Sequence, residues 1–198
     1  MVSGFVTAGG RSSRMGRDKA WLELDGQTMI ERVIAAIKPV TTGVSVIANS
    51  PEYERLGLPV YSDTHIGVGP LEAIRTALVN ASTSRVLLVG CDVPFVTSEL
   101  FFFLLGLKGD YQAIVPVGAD ERLEPMCAVY STDSLPCVTR LIESGGRKVS
   151  LLFEQIRTRR VAFDEISHLP GAELFFENVN TQEEYSRALE VLHQLGSQ

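Results

Sequence analysis

Residues 7–19 read T-A-G-G-R-S-S-R-M-G-R-D-K and come directly after a short apolar run, which predicts a first β-strand. Glycines, arginines and a lysine lie together in this one loop. Such a loop brings bare backbone N–H groups and several cations close to a polyphosphate. Neither core packing nor an ordinary turn between a strand and a helix requires that mixture. The stretch therefore predicts a phosphate-binding loop at the carboxyl end of a strand.

The spacing of this loop excludes two common phosphate-binding motifs. A Rossmann fingerprint requires G-x-G-x-x-G, which Gly9 and Gly10 followed by Gly16 do not provide. A Walker A loop requires a lysine directly after its last glycine, whereas Gly16 is followed by Arg17. The loop belongs to a less common class of phosphate binder.

Length and composition indicate one globular domain covering residues 1–198. The chain is long enough to bury a core, and its 45% hydrophobic and 21% charged residues are ordinary for such a domain. A formal net charge of −6 argues against a nucleic-acid partner, because phosphate backbones are bound by basic surfaces. The locally basic loop suits a small anionic ligand better.

The cysteines and the apolar runs bear on the cellular compartment. Cys91, Cys127 and Cys137 form no C-x-x-C pair, which favours reduced, mostly buried thiols over disulfides or a zinc site. The chain enters a strand at once, so we expect no signal peptide. No apolar run approaches the length of a membrane span, so we expect a cytoplasmic protein without a membrane partner. The apolar residues 100–105 predict a buried helix.

Apolar runs of strand length alternate with helical patterns along the chain. The predicted strands cover residues 2–7, 44–48, 58–61, 86–91, 113–117 and 127–130. Capping boxes at residues 28–31 and 181–184 predict two helix starts, and Pro70 can open a third helix. This alternation predicts an α/β, Rossmann-like three-layer fold with a mostly parallel sheet. Loops at the carboxyl ends of such strands lie along one edge, where ligands bind.

A second candidate feature is Asp92, which follows the fourth apolar strand and precedes a proline-containing turn. This placement directs its carboxylate to the same edge as the glycine-rich loop. Proteins commonly hold Mg²⁺ with one carboxylate and substrate phosphates. Asp92 can therefore bind Mg²⁺, although an aspartate at this position can also simply cap the following turn.

Two further segments end at this edge. Asn180 precedes the last capped helix, and its amide can reach a metal-bound water or a phosphate oxygen, although it is also a common turn residue. Asp63 ends a strand and can be either a ligand residue or a surface residue. Gly69 and Pro70 lead into a helix N-terminus, which favours anions.

Taken in order, these motifs resemble those of the molybdenum cofactor guanylyltransferases, within the nucleotide-dependent nucleotidyltransferases. The family pattern L-A-G-G-x-S-x-R-M-G-x-D-K matches residues 7–19, apart from Thr7. Later segments are similar to the family's G-P-L, C-D-x-P and E-P-L…A-x-Y motifs and to its last two signatures. These segments are residues 69–71, 91–94, 124–130, 146–149 and 178–181. The likeness covers nearly the whole chain and implies the fold of the nucleotide-diphospho-sugar transferases.

The resemblance also implies a reaction, in which GTP and molybdopterin carrying molybdenum give the guanine dinucleotide cofactor and pyrophosphate. It implies Mg²⁺ at Asp92, phosphate contacts from Lys19, and transient contacts with the molybdoenzymes or cofactor-insertion proteins that receive the product. The residues implied to bind the nucleotide are Thr7, Ala8, Gly9, Gly10, Lys19, Asn49, Asp63 and Asp92. Lys19 and Arg14 can offset the phosphate charge that grows in the transition state. Such a transfer requires alignment and charge neutralisation rather than a covalent nucleophile.

Two alternatives remain open at this point. One is a molybdopterin cytidylyltransferase or a sugar-phosphate nucleotidyltransferase, because base choice depends on a few contacts of about 1–3 kcal/mol each. The residues Glu72 and Ala73 also depart from the usual small pair after G-P-L. The other alternative is a non-catalytic nucleotide-binding or docking module. The presence of both Lys19 and Asp92 argues against it, because binding alone does not require a metal ligand.

Overall fold

The computed structural model describes residues 1–9, 18–64 and 69–195. Within these ranges the strands are β1 (Ser3–Thr7), β2 (Glu23–Leu24), β3 (Gln27–Thr28), β4 (Gly43–Ile47), β5 (Val60–Tyr61), β6 (Arg85–Gly90), β7 (Ala113–Pro116), β8 (Cys127–Ser131) and β9 (Thr158–Val161). The α-helices are α1 (Met29–Ile37), α2 (Pro70–Val79), α3 (Ser98–Gly106), α4 (Leu135–Glu143), α5 (Ser150–Phe153), α6 (Phe163–Ile166) and α7 (Gln182–Leu195). Every strand predicted from the apolar runs is present, with small differences at its ends.

The main sheet has seven strands in the order β5-β4-β1-β6-β8-β7-β9. All neighbours are parallel except β8, which runs antiparallel to β6 and β7. Thr7 at the end of β1 pairs with Ile47 on one side and Gly90 on the other. The carboxyl ends of β4, β1 and β6 are therefore level with one another. The predicted α/β fold with a mostly parallel sheet is confirmed.

Alternate side chains of the strands enter two separate cores. On β6, Leu87 and Val89 belong to the core that includes side chains of α1 and α3. Val86 and Leu88 belong to the core that includes side chains of α2 and α4. Strands covered on both faces are almost wholly apolar, as the continuous runs predict. The three-layer arrangement follows from this pattern.

The helix signals give the expected starts. Thr28 caps α1 in a capping box with Glu31, and Pro70 occupies the first turn of α2. The capping box before α7 is also present. In α3, however, Phe102 is 59% exposed, so the prediction of a fully buried helix is wrong for this position. A helix that packs on one side of a sheet buries only one face.

A small hairpin, β2 and β3, is absent from the sequence prediction. Its two-residue turn places Asp25 and Gly26 at positive φ, as tight hairpin turns require. The hairpin helps form a third apolar cluster with the loop after β6 and with α7. The buried members of this cluster are Leu22, Leu24, Met29, Phe95, Val179 and Ala188. The cluster attaches α7 to the edge of the sheet.

The predictions about thiols and membrane segments can also be compared with the structure. Cys91, Cys127 and Cys137 are all buried and free of disulfides, as the sequence indicates. In the described ranges, no helix has both the length and the apolar character needed to cross a membrane.

Candidate active site

A cleft of about 900 Å³ opens at the carboxyl ends of β1, β4 and β5. Most of the residues predicted to bind a nucleotide line it. These residues are Thr7, Ala8, Gly9, Asn49, Asp63, Gly69 and Pro70. The predicted residues Gly10 and Arg14 lie outside the described part of the chain. The sequence did not assign Asp18, Ser50, Tyr53 or Met126, which line the cleft as well.

Three predicted side chains meet at the edge of the sheet beside this cleft. The Lys19 ammonium group donates to Asp92 Oδ2 at 2.8 Å and to Asn180 Oδ1 at 2.6 Å. The Lys19 and Asp92 side chains are 16% and 29% exposed. The Lys19 ammonium group thus contacts a residue, Asn180, that lies 161 positions further along the chain. A side-chain ammonium between a carboxylate and an amide oxygen is a suitable element of a phosphate-transfer site.

The backbone around β6 determines where Asp92 lies. A Cβ on Gly90 would be 2.4 Å from Asp92 Oδ1, so only glycine lets the carboxylate fold back over the strand end. The Cys91 N–H donates to Thr7 O, which fixes this loop beside β1. The Val179 N–H donates to Asp92 O at 2.9 Å. Because Val179 is anchored in the third apolar cluster, Asn180 is brought to the carboxylate.

Lys19 is placed by a contact that no sequence motif indicates. Asp18 caps the 3-10 helix Lys19–Trp21, with its Oδ1 accepting from the Ala20 N–H. The buried Tyr53 hydroxyl donates to Asp18 Oδ2 at 2.5 Å. Burial, and then this hydrogen bond, raise the pKa of Tyr53 far above its ordinary value, so the hydroxyl stays a donor. Tyr53 lies in the 3-10 helix Pro51–Leu56 after β4, and nothing in its local sequence connects it with Lys19.

Asn49 and Asp63 line the cleft after β4 and β5, on the other side of β1 from Asp92, which follows β6. Asn49 Oδ1 accepts from the Asp63 N–H at 3.0 Å, and Asp63 Oδ1 accepts from Thr76 Oγ1 at 3.0 Å. Burial raises the pKa of Asp63; the Thr76 hydrogen bond opposes this, and the Glu72 carboxylate adds to it. Ligand N–H groups facing Asp63 would offset the lost hydration of its charge. Asp63 is therefore suited to accept hydrogen bonds from a ligand.

Glu124 is a second unusual carboxyl group near Asp92. It lies in the loop between β7 and β8 and lines a separate polar cleft. Burial raises its pKa to about 7; the Asp120 and Asp92 carboxylates add to the rise, and Arg122 opposes it. Its carboxyl group is therefore protonated over a range of pH in which an ordinary glutamate is charged.

We expect this group to make stability fall as the pH rises. The ordinary pKa is 4.5, so between about 4.5 and 7 the folded protein binds a proton that the unfolded chain has released. Relative to Glu124→Gln, the wild-type protein should lose about 1–3 kcal/mol of unfolding free energy over that range. Urea unfolding at several pH values in metal-free buffer measures this loss. Parallel pH profiles for the two proteins would contradict the shifted pKa.

Comparison with known sequences identifies relatives over nearly the whole chain. Residues 4–159 match the model of the MobA-like NTP transferase domain. A probable molybdenum cofactor guanylyltransferase from Carboxydothermus hydrogenoformans is 32% identical over 186 residues, covering 94% of each chain. A molybdenum cofactor guanylyltransferase from a Shewanella species is also 32% identical, over 198 residues and 98% of each chain.

Solved structures are also similar to this chain over nearly its whole length. Molybdopterin-guanine dinucleotide biosynthesis protein A from Archaeoglobus fulgidus gives a TM-score of 0.82 at 25% identity, covering 97% of this chain and 99% of that one. The 2-C-methyl-D-erythritol 4-phosphate cytidylyltransferase from Thermus thermophilus gives 0.67 at 16% identity, covering 96% and 98%. The second likeness concerns the fold alone.

Proposed function

The chain belongs to the MobA-like NTP transferase family, and we propose that it transfers GMP from GTP to molybdopterin carrying molybdenum. The products are pyrophosphate and the guanine dinucleotide form of the cofactor. As a member of this family the protein is a nucleotidyltransferase. One observation supports the proposed transfer of GMP. Lys19, Asp92 and Asn180 meet beside a cleft that is also lined by Asn49 and Asp63.

We place the nucleotide along this cleft, with its phosphates toward Lys19 and its nucleoside toward Asn49 and Asp63. Residues 7–9, at the end of β1 between β4 and β6 in the sheet, also line the cleft. The cleft is large enough for a nucleoside triphosphate, since ligand sites of this kind measure about 300–1,000 Å³. The arrangement separates recognition of the base from the chemistry at the phosphates.

In the proposed reaction, an oxygen of the pterin's terminal phosphate attacks the α-phosphorus of GTP. A new P–O bond forms as the bond between the α-phosphorus and its bridging oxygen breaks, and pyrophosphate leaves. Lys19 neutralises the charge that develops on the leaving phosphates. The attacking phosphate is already largely ionised near neutral pH, so no general base is assigned.

The residues around Lys19 also fit a magnesium ion. Asp92 Oδ2 and Asn180 Oδ1 both accept from the Lys19 ammonium group, so the two oxygens face one cationic group, which supports the proposal. Carboxylate and amide oxygens are hard ligands of the kind Mg²⁺ takes, together with substrate phosphates. We propose that Asp92 holds Mg²⁺ with help from Asn180. When bound, the ion supplies charge neutralisation and polarisation of phosphate oxygens.

Guanine is the base that best fits Asp63. Its N1–H and N2–H₂ groups are adjacent donors, and the half-buried Asp63 carboxylate lines the cleft as an acceptor. A carboxylate whose charge is disfavoured by burial gains from two facing donors. Cytosine has only one donor group, its exocyclic amine, on its base-pairing edge. It can therefore donate fewer hydrogen bonds to the Asp63 carboxylate than guanine can.

Nucleotide-dependent thermal unfolding tests the choice of base. With Mg²⁺ and saturating nucleotide, we expect GTP to stabilise the protein by about 3 kcal/mol at 100 times its Kd, and CTP, ATP and UTP to stabilise it less. Release of pyrophosphate from GTP on addition of molybdopterin carrying molybdenum tests the transfer itself. Stabilisation by CTP but not GTP would favour the cytidylyltransferase alternative and overturn the guanine assignment.

Three wider proposals accompany this function. We propose that residues 1–198 form one transferase domain, because Tyr185 of α7 donates to Glu23 O of the hairpin and ties the last helix to the site. We propose a cytoplasmic location, which suits the three buried free thiols. We also propose transient contacts with the molybdoenzymes that receive the product.

A further inference from the structure

Glu72 is a fully buried carboxylate on α2, directly behind the nucleotide cleft. Its side chain is 0% exposed, although neighbouring positions of the same helix, Leu71 and Ile74, pack in an apolar core. An ionised carboxylate in such a place is costly unless it is paired and hydrogen-bonded. Arg75 provides the pairing through Nε at 3.0 Å and a second guanidinium nitrogen at 2.6 Å.

The Glu72 side chain also contacts the backbone just after Asp63. Its carboxylate accepts from the Thr64 N–H at 3.1 Å, and its own backbone N–H donates to Gly69 O at 3.0 Å. Thr64 directly follows Asp63, whose carboxylate is bonded to Thr76 one turn further along α2. The helix therefore fixes Asp63 from two sides.

Stability alone does not explain this buried ion pair. A pair of this kind is commonly no better for stability than apolar residues of similar volume. Glu72 is not among the residues that line the cleft, whereas Asp63, Gly69 and Pro70 line it. Within the described part of the chain, the hydrogen bonds of Glu72 therefore reach the cleft through the backbone that carries these residues.

We propose that Glu72, balanced by Arg75, is a positioning residue that sets nucleotide affinity and base preference by fixing Asp63 through the Thr64 N–H. This inference rests on the proposed role of Asp63 at the nucleoside. Because Glu72 acts on the nucleoside end and not on the reacting phosphates, its loss weakens binding equally in the ground state and the transition state. Such a loss raises KM and leaves kcat unchanged.

The test replaces both members of the pair, as Glu72→Met with Arg75→Met, so that no unpaired charge is left buried. We expect KM for GTP to rise about tenfold, the preference for GTP over CTP to shrink, and kcat to stay within about twofold. Glu72→Gln retains an acceptor for Thr64 and should restore KM to near the wild-type value. Glu99→Met, an exposed glutamate in the first turn of α3, is the matched control and should change neither constant.

An unchanged KM in the double variant, or a fall in kcat alone, would overturn the proposal. Thr76→Val removes the hydrogen bond to the Asp63 carboxylate and keeps the ion pair, so it is measured in case the double variant does not fold. It should raise KM several-fold, and an unchanged KM would contradict the positioning of Asp63 by α2. If wild-type protein neither bound nor used GTP, the proposed function would fail instead, before any variant is compared.

Discussion

Asp92→Asn is expected to reduce pyrophosphate release by about 10³-fold, because it removes the negative charge that we propose holds Mg²⁺ against the phosphates. The substitution keeps the size of the side chain and leaves Lys19 and Asn180 in place. Because the Lys19–Asp92 pair is partly exposed, its loss should change the unfolding free energy by only about 1 kcal/mol or less. Steady-state kinetics at several Mg²⁺ concentrations, with thermal unfolding of the same samples, separates chemistry from folding.

Asp120→Asn is the matched control for this experiment. Asp120 is also a carboxylate in a loop at this edge of the sheet, but its side chain is 58% exposed and paired with Arg122. We expect its replacement to leave kcat within about twofold, as is usual for an exposed ion pair. Comparable rates for Asp92→Asn and wild type, with the same dependence on Mg²⁺ concentration, would show that Asp92 does not hold the metal.

The strands and the edge that carries the site were predictable from the sequence for a clear physical reason. Parallel strands buried on both faces are continuous apolar runs, and the ends of those runs locate the loops that meet at one edge. Thr7, Asn49 and Asp63 therefore appear together in the structure as residues that line one cleft. The alignment of Thr7 with Ile47 and Gly90 across the sheet makes this edge level.

The contacts that set the positions of the side chains were not predictable in the same way. Tyr53 holds Asp18 across 35 positions of sequence, and neither residue carries a local signal for the other. Val179, which donates to the Asp92 carbonyl, is packed in an apolar cluster that the unpredicted hairpin helps to form. The sequence already shows Glu72 at a position where the family pattern has a small residue. The burial of Glu72 and its pairing with Arg75, however, depend on the three-dimensional packing.

Replacement of Lys19 by methionine is the second change with a large expected effect. Methionine keeps the length and apolar stem of the side chain but removes the ammonium group that bonds Asp92 and Asn180. We expect kcat to fall by about 10²–10³-fold, since the charge developing on the leaving phosphates is no longer offset. Rapid-quench measurement of a single turnover reports this step directly. Lys38→Met, in the 3-10 helix Lys38–Val40 after α1, is the control and should leave the rate unchanged.

Lys19 and Asp92 should behave as one unit, because each fixes the other in the site. Residues that act together in catalysis have strongly non-additive effects, so Lys19→Met combined with Asp92→Asn should be little slower than the slower single variant. Lys19→Arg keeps the charge, but a planar guanidinium does not replace a compact ammonium between two oxygens at 2.8 and 2.6 Å, and only partial activity is expected. Fully additive losses in the double variant would mean that the two side chains serve separate steps, and the ion pair would then have no part in the transfer.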